Sequence, residues 1–279
     1  FWPYFDIQCE AKAKNLASEQ LYLQSVNSEL KLVGWVKNKP VNTHMPLFTK
    51  DKKRALFVHI PKTAGTSIES AFLDSGYERE FMNRPGKGDG PDHKPCNPQH
   101  WHMTYIVKNI YPTLEGKNFF EFAVVRNPFT RLISEMMWRN KGRNDFQNDS
   151  FYKFFDDYVV GGITAYLDNE RKYKESPEKF EGGGLSFYQD NHWRPQIDFV
   201  GPKTVIFKYE ELKHQAWADL KMRFNLGDLA TEFTDLPLDK PRPTSMKIEP
   251  TKDFKKLYTQ VYGEDHKKFG YDMPFNTGE

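Results

Sequence analysis

Short apolar runs, each leading into a helical segment, constrain the fold of this chain more than any other feature. Residues 55–60 and 119–125 are rich in β-forming side chains, and residues 204–207 form a third run of the same kind. Runs of this length suit strands that are buried on both faces of a parallel sheet. Segments with helical character follow at 66–73, 128–141 and 210–224. The alternation predicts an α/β fold: a three-layer, P-loop-like domain with a mainly parallel central sheet flanked by helices.

The chain divides into a weakly patterned beginning and a longer main domain. Residues 1–50 predict an N-terminal extension of short helices that ends in a connector and packs on the main domain. The main domain is expected to cover residues 51–279. Near its end, residues 251–269 predict a helix with a break at Gly263.

Charge and cysteine content exclude several classes of protein. The 40 Lys+Arg residues nearly balance the 38 Asp+Glu residues, which gives a formal net charge of +2. A nucleic-acid partner is therefore not expected. The longest apolar runs have four residues, whereas a membrane-spanning helix needs about 20. Two cysteines are too few for a disulfide scaffold and suit a reducing cytoplasm. The sequence begins at Phe1 rather than Met, so a Golgi lumen location with an upstream anchor is the alternative.

The loop after the first run, residues 61–67, has the features of an oxyanion site. It connects a strand directly to a helix start, where backbone N–H groups from Thr63 to Ser67 would point into one concavity. Gly65 would let the backbone approach an anion closely, and Lys62 adds a mobile cation. The order differs from G-x-x-x-x-G-K-[ST], because Lys62 precedes the glycine. An ordinary β–α turn with an exposed lysine is the alternative reading.

The second run supplies a partner for this loop. Arg126 follows the strand directly, and Ser134 lies within the next helix. Ligands of α/β sheets bind at the carboxyl ends of the strands, so Arg126 and the loop should share one edge. A guanidinium fork suits a terminal phosphate. Taken singly, Arg126 could instead cap a helix or form a surface salt bridge, and Ser134 could be a small packing residue.

Residues 57–67 and 122–134 together resemble the two signatures of the PAPS-dependent sulfotransferases. The resemblance is to the carbohydrate O-sulfotransferase branch of Golgi-type and bacterial enzymes, and it covers about residues 54–275. It implies PAPS (3′-phosphoadenosine 5′-phosphosulfate) as the sulfuryl donor, PAP as the product, and no metal. The residues that would hold the 5′-phosphosulfate are Lys62, Thr63, Ala64, Gly65, Thr66 and Ser67. Arg126 and Ser134 would hold the 3′-phosphate. Residues 191–196 resemble a later part of these domains.

The resemblance also implies catalytic roles. Lys62 would stabilise the negative charge on the leaving oxygen, and a histidine ahead of the second buried strand would act as general base. His102 fits that place best, with His100 as the reserve, and a carboxylate base stays open. His192 and Trp193 are candidates for the acceptor cleft or for packing beside the nucleotide, and Trp193 is expected to be core or cleft wall rather than a specific contact. His59, inside the first strand, is expected to be a buried histidine with a structural hydrogen bond.

The function expected from these features is transfer of the PAPS sulfuryl group to a hydroxyl by in-line displacement. Residues 82–99 and 170–184 predict polar surface loops that shape the acceptor cleft, and their character favours a carbohydrate over a lipid. A small hydroxylated metabolite is the other acceptor considered. The alternatives are a P-loop nucleotide kinase or other phosphotransferase, and a non-catalytic nucleotide-binding module.

Overall fold

A computed structural model describes residues 47–80, 100–139, 150–176, 188–212, 214–227 and 250–275. All of them lie in one compact unit, Thr43–Glu279. The predicted helices before residue 47 and the predicted loop at 82–99 lie outside the described residues. None of the helices in the described ranges is long and apolar enough to span a membrane.

The centre of the described fold is a five-stranded sheet in the order β3-β1-β2-β4-β5. β2 pairs in parallel with β4, and β4 with β5, whereas β1 is antiparallel to both β2 and β3. Four of the strands therefore run in one direction, as the prediction of a mainly parallel sheet requires. The strands are β1 (Leu47–Lys50), β2 (Lys53–Val58), β3 (Glu78–Glu80), β4 (Phe120–Val125) and β5 (Val205–Lys208).

β1 corrects the prediction that residues up to 50 form a connector outside the main domain. Leu47 and Phe48 are fully buried, and the strand pairs with β2 from Leu47 opposite Leu56 to Lys50 opposite Lys53. The turn between the strands includes Asp51 in the left-handed region, at φ 53°. Such backbone is typical of tight hairpins. Residues 47–50 are therefore part of the sheet.

Six α-helices surround the sheet in the described ranges. They are α1 (Gly65–Asp74), α2 (Met103–Asn109), α3 (Pro128–Arg139), α4 (Ser150–Glu175), α5 (Gln215–Phe224) and α6 (Lys252–Phe269). Short 3₁₀ helices lie at Tyr111–Leu114, Tyr188–Asn191, Gln196–Phe199 and Tyr209–Glu211.

Two helices differ from the sequence prediction. α4 continues to Glu175, through the first part of the segment 170–184 that was expected to be a surface loop. Arg171 bonds both Asp168 and Glu175 there, at 2.6 and 2.9 Å, and ion pairs at this spacing support an exposed helix. α6 is continuous through Gly263, so the predicted break is wrong. A Cβ at Gly263 would meet only the Thr259 methyl group, at 3.6 Å, and the helix runs on without obstruction.

Alternate residues of the central strands enter different apolar clusters. In β2, Leu56 and Val58 join one cluster with α2, while Ala55 and Phe57 join another with α1 and α5. Both faces of the sheet are therefore covered, as expected for parallel strands. A third, aromatic-rich cluster joins α3, α4 and α6. This packing leaves the carboxyl ends of β2 and β4 to carry the loops described next.

Candidate active site

The loop after β2 is built on left-handed backbone. Lys62 and Ala64 have φ values of 68° and 76°, which non-glycine residues seldom adopt. The Thr63 hydroxyl donates to the Ile60 carbonyl at 2.8 Å and closes the turn internally. Ala64 is the N-cap of α1, and no side chain among the described residues caps this helix start. The arrangement presents the first N–H groups of α1 to an anion.

Gly65 has a structural role that the sequence did not indicate. A Cβ at this position would lie 1.8 Å from Nε2 of His59, so only glycine leaves room for the imidazole ring. His59 is buried and donates from Nδ1 to Glu69 at 2.7 Å. Arg79 also donates to Glu69, at 3.2 Å. His59 is therefore the buried structural histidine that the sequence predicted, and it supports the loop from beneath.

Lys62 lies half-buried beside an exposed aromatic ring. Its Nζ is 4.9 Å from the ring centroid of Trp138, which is 54% exposed. Burial lowers the pKa of Lys62 to about 8; Glu135 opposes this shift, and the cations Arg126 and Arg139 add to it. The positive charge of the ammonium group is thus only partly balanced by its surroundings, and a bound anion would stabilise the charged form.

Arg126 connects the end of β4 to this loop. Its side chain is buried; Nη1 donates to the Lys62 carbonyl at 3.5 Å, and Nε donates to Thr130 at 3.2 Å. Its guanidinium carbon lies 4.2 Å from the Tyr209 ring centroid. The structure therefore brings Arg126 to the loop, at the shared sheet edge. Ser134 lies in α3 and is buried.

The start of α3, next to Arg126, is capped by a side chain. Asn127 Oδ1 accepts the backbone N–H groups of Phe129 and Thr130, at 3.0 and 3.2 Å. Glu210 in turn accepts the N–H of Asn127 at 2.9 Å. These bonds satisfy the helix start and fix the turn that carries Arg126.

Two histidine–carboxylate pairs lie behind the loop. His100 donates from Nδ1 to Asp190 at 2.8 Å, and His192 donates from Nδ1 to Glu135 at 2.5 Å. Burial lowers the pKa of His100 to about 4, although the hydrogen bond to Asp190 acts in the opposite direction. Burial also opposes ionisation of Glu135, but the bond from His192 prevails and lowers the pKa of that carboxyl. His100 is therefore neutral and Glu135 ionised at neutral pH.

The rings form a continuous series that ends at Lys62. His59 and His100 meet edge to face at 4.9 Å, and His100 and His192 do so at 5.0 Å. His192 then stacks on Trp138 at 5.4 Å, and Lys62 lies over that indole. The histidine cluster, meaning His59, His100 and His192, thus adjoins the predicted phosphate loop.

Asp190 lies on strained backbone. Gln189, Asp190 and Asn191 have φ values of 43°, 58° and 60°, all in the left-handed region. The Asn191 side chain donates to the His100 carbonyl at 2.8 Å and ties this turn to the start of α2. Strain of this kind concentrates at functional sites.

A metal ion is conceivable at one place among the described residues. His100, Asp190 and His192 each offer a ligand atom, and these atoms lie within 4.8 Å of one another. In the structure the same side chains form the carboxylate pairs described above. The sequence predicted no metal, and that expectation stays a prediction.

A profile of the sulfotransferase family matches residues 45–272. The chain belongs to this family. It is also similar to carbohydrate sulfotransferase 10 of Xenopus laevis, with 22% identity over 266 residues that cover 82% of this chain and 68% of the relative. No solved structure gives a match of comparable significance. The resemblance to the carbohydrate branch, drawn from the two motifs, is thereby supported.

The remaining predicted residues of this sulfotransferase occupy varied positions. His102 is the N-cap residue of α2 and is 5% exposed; its carbonyl accepts the N–H of Ile106 at 3.2 Å. Thr66 is exposed and Ser67 is half-buried at the start of α1. Trp193 requires a correction, because it is 2% exposed and packs so closely on Gly162 that a Cβ there would lie 2.1 Å away. It is a core residue rather than part of an acceptor surface.

Sequence reasoning missed several residues that organise the sulfotransferase site. Glu135 and Trp138 lie within one turn of Ser134 in α3, and Asp190 directly precedes the 191–196 motif. A glutamate one residue after a predicted ligand, on a helix with an apolar face, was a signal that could have found Glu135. Gln196 lies in the 191–196 motif, but nothing in that motif indicated its contact with Arg126.

Proposed function

We propose that this sulfotransferase uses PAPS to sulfate a hydroxyl group of an acceptor, and that this acceptor is a carbohydrate. The observation that carries the proposal is the meeting of the buried Arg126 guanidinium with the loop that carries Lys62, at 3.5 Å from the Lys62 carbonyl. An uncapped helix start and an arginine fork at one sheet edge suit a nucleotide with two separate phosphate groups. The three-layer, P-loop-like arrangement is proposed on the same basis.

The two phosphate groups would contact different elements. Backbone N–H groups from Thr63 to Ser67, with the hydroxyl groups of Thr66 and Ser67, would bind the 5′-phosphosulfate. The Thr63 hydroxyl is engaged by the Ile60 carbonyl, so that residue contributes through its backbone. Arg126 and Ser134 would bind the 3′-phosphate. Family membership and the left-handed turn at Ala64 support these roles.

The chemical step is a displacement at sulfur. The acceptor oxygen forms a bond to sulfur while the bond from sulfur to the bridging phosphate oxygen breaks, and that oxygen keeps the electron pair as PAP leaves. Lys62 would neutralise the charge that grows on the bridging oxygen. The proton of the acceptor hydroxyl passes to a general base. Preorganised positioning and charge stabilisation account for most catalysis in the analogous phosphoryl transfers.

The general base is proposed to be a histidine of the segment that precedes α2. His102 is the candidate from the family pattern, and His100 is the alternative that the geometry supports. His100 belongs to the ring series that ends at Lys62, and its bond to Asp190 leaves Nε2 as the proton acceptor. His102→Ala and His100→Ala, compared in a single-turnover assay, distinguish them. The variant that loses transfer while it keeps PAP affinity identifies the base.

The acceptor is proposed to be a glycan, because the similar Xenopus protein is named for carbohydrate and the predicted surface loops are polar. A small hydroxylated metabolite is the alternative acceptor. We further propose that no metal takes part. Activity that survives extensive dialysis against EDTA is the expected result for a metal-free reaction.

Calorimetric titration with PAP, AMP and ADP tests the nucleotide site. Wild type should prefer PAP, and Arg126→Ala should lower PAP affinity by about 10- to 100-fold, the range expected for charged hydrogen bonds. Arg171→Ala, on the exposed surface of α4, is the matched control and should leave the affinity unchanged. A preference for ADP with Mg²⁺ would instead indicate a kinase. PAP binding without sulfate transfer from PAPS to any glycan would indicate a non-catalytic module.

A further inference from the structure

The proposed function leaves the 191–196 segment without a role, and the most informative residue in it is Gln196. Gln196 begins a 3₁₀ helix, Gln196–Phe199, and is fully buried. Its Oε1 accepts the backbone N–H of Arg126 at 2.9 Å, and its Nε2 donates to the Arg126 carbonyl at 2.7 Å. One amide side chain therefore binds both polar groups of the Arg126 backbone, across 70 positions of sequence.

Arg126 needs such a partner because of where it lies. β4 ends at Val125, which is the last residue paired with β5, opposite Lys208. Arg126 follows that last paired residue directly and is buried. Buried backbone groups require partners, and a primary amide offers one donor and one acceptor in the geometry of a peptide. Gln196 in effect extends the sheet by one residue.

A buried carboxylate holds Gln196 in turn. Asp265 of α6 is fully buried, and its two oxygens accept the backbone N–H groups of Gln196 and Ile197, each at 2.8 Å. These N–H groups open the 3₁₀ helix, where the N-cap residue Pro195 provides no side-chain bond. Asp265 therefore caps this short helix from another element. The contacts form an uninterrupted series from Asp265 through Gln196 to Arg126.

We infer that Gln196 is a positioning residue for Arg126, held in place by Asp265, so that α6 sets the geometry with which the protein binds the nucleotide's 3′-phosphate. The inference rests on the proposed role of Arg126. Fixing the Arg126 backbone fixes the origin of its side chain, whose fork must meet phosphate oxygens in a narrow range of directions. Thr130 and Tyr209 contact the side chain itself, whereas Gln196 contacts the backbone that carries it.

The test compares PAP with AMP, which differ only in the 3′-phosphate. Gln196→Met keeps the length of the side chain and removes both bonds. It should lower the ratio of PAP affinity to AMP affinity by about tenfold, since a misplaced guanidinium loses much of a charged hydrogen bond. AMP affinity itself should change little. Asp265→Asn, which keeps one acceptor oxygen, should lower the ratio in the same direction and by less.

A control separates positioning from general destabilisation. Tyr77→Phe removes a buried hydrogen bond, 2.7 Å from the hydroxyl to the Phe224 carbonyl, in the segment between α1 and β3. Melting temperatures of all variants are measured alongside, and titrations are run well below the lowest of them. Tyr77→Phe should lower the melting temperature and leave the PAP-to-AMP ratio as in wild type.

A double-mutant cycle completes the design. If Gln196 acts through Arg126, the double variant Arg126→Ala/Gln196→Met should have the same ratio of PAP affinity to AMP affinity as Arg126→Ala alone. A PAP preference that survives in both Gln196→Met and Asp265→Asn would overturn the positioning role alone. Equal affinities of wild type for PAP and AMP would overturn the proposed role of Arg126 and this inference together. Equal fold losses of PAP affinity and AMP affinity in Gln196→Met would likewise contradict the inference.

Discussion

Two helix starts at the same edge of the sheet are built in opposite ways. α3 follows β4 and begins with Asn127, whose side chain accepts two N–H groups of the first turn. α1 follows the parallel neighbour β2 and begins with Ala64, in left-handed backbone and without a capping side chain. The residue after the cap is proline in α3 and glycine in α1, at Pro128 and Gly65.

The difference indicates which helix start is kept for a ligand. The first N–H groups of every helix need partners, and α3 receives them from its own chain. For α1, no side chain among the described residues provides such a cap, and the backbone at Lys62 and Ala64 is left-handed in the turn before the helix. Such strain is retained where the surrounding structure enforces it, and it points to function. Next to α3, the proposed ligand contacts come instead from side chains, those of Arg126 before the helix and Ser134 within it.

The largest expected effect distinguishes the role of Lys62, before α1, from that of Arg126, before α3. Lys62→Ala should lower kcat by about 10²- to 10³-fold, the usual loss when a preorganised donor to the developing charge is removed. Arg126→Ala should act mainly on the KM for PAPS, because the 3′-phosphate does not change during transfer. Steady-state kinetics with varied PAPS concentration measure both. Lys203→Ala, at an exposed turn, is the control. An unchanged kcat for Lys62→Ala would refute its role.

A second prediction concerns the glycine at the start of α1. Gly65→Ala should lower the free energy of unfolding by about 1–3 kcal/mol, as overpacking does, because the new Cβ would overlap the His59 ring. Gly161→Ala in α4 is the matched control. A Cβ there meets nothing within 4 Å, so this change should stabilise the protein by up to about 1 kcal/mol through helix propensity. Denaturant titration measures both.

The cause assigned to the Gly65 effect has its own test. His59→Ala in the Gly65→Ala background removes the ring that the new Cβ would meet. The double variant should then lose less stability than the sum of the two single variants. Simple additivity would mean that Gly65 is required for its backbone conformation and not for the space it leaves to His59.

The sequence predicted the parts of the fold that repeat a strong local pattern. The runs at 55–60, 119–125 and 204–207 correspond to β2, β4 and β5, each within two residues at either end. β1 and β3 were not predicted, because they are three or four residues long and carry charged or polar side chains. Their formation depends on pairing with each other and with β2, which no local pattern reveals.

The candidate site likewise has contacts that the sequence predicts and contacts that it does not. The meeting of Lys62 and Arg126 was predictable, because parallel strands end at a common edge. The pairing of His100 with Asp190 spans 90 positions and that of Gln196 with Arg126 spans 70. Such pairs depend on side-chain geometry after folding. The local sequence therefore indicates which residue types can react, but not which residues orient them.

The third prediction uses the pKa of Lys62, which burial lowers to about 8. The cation is the form that binds an anion, so PAP affinity should fall as pH rises through about 8. At pH 9 about one-tenth of Lys62 is protonated in the free protein, and the affinity should be up to about tenfold lower than at pH 7. Lys62→Arg keeps its charge throughout this range and should flatten the curve. A wild-type curve that is flat between pH 7 and 9 would contradict the assignment.

The smallest expected effect tests the comparison of the helix starts directly. Asn127→Ala removes the cap of α3 and should lower the free energy of unfolding by about 1 kcal/mol. Ala64→Gly should act in the opposite direction and raise it by up to about 1 kcal/mol, because glycine adopts φ 76° without steric cost. Denaturant titration of the ligand-free protein measures both changes.

PAP affinity should fall in Asn127→Ala, since the same turn carries Arg126, and should stay unchanged in Ala64→Gly, since the N–H groups of α1 stay in place. If both variants lowered stability alike, the left-handed turn at Ala64 would be unstrained, and the contrast between a satisfied helix start and one kept for a ligand would lose its energetic basis.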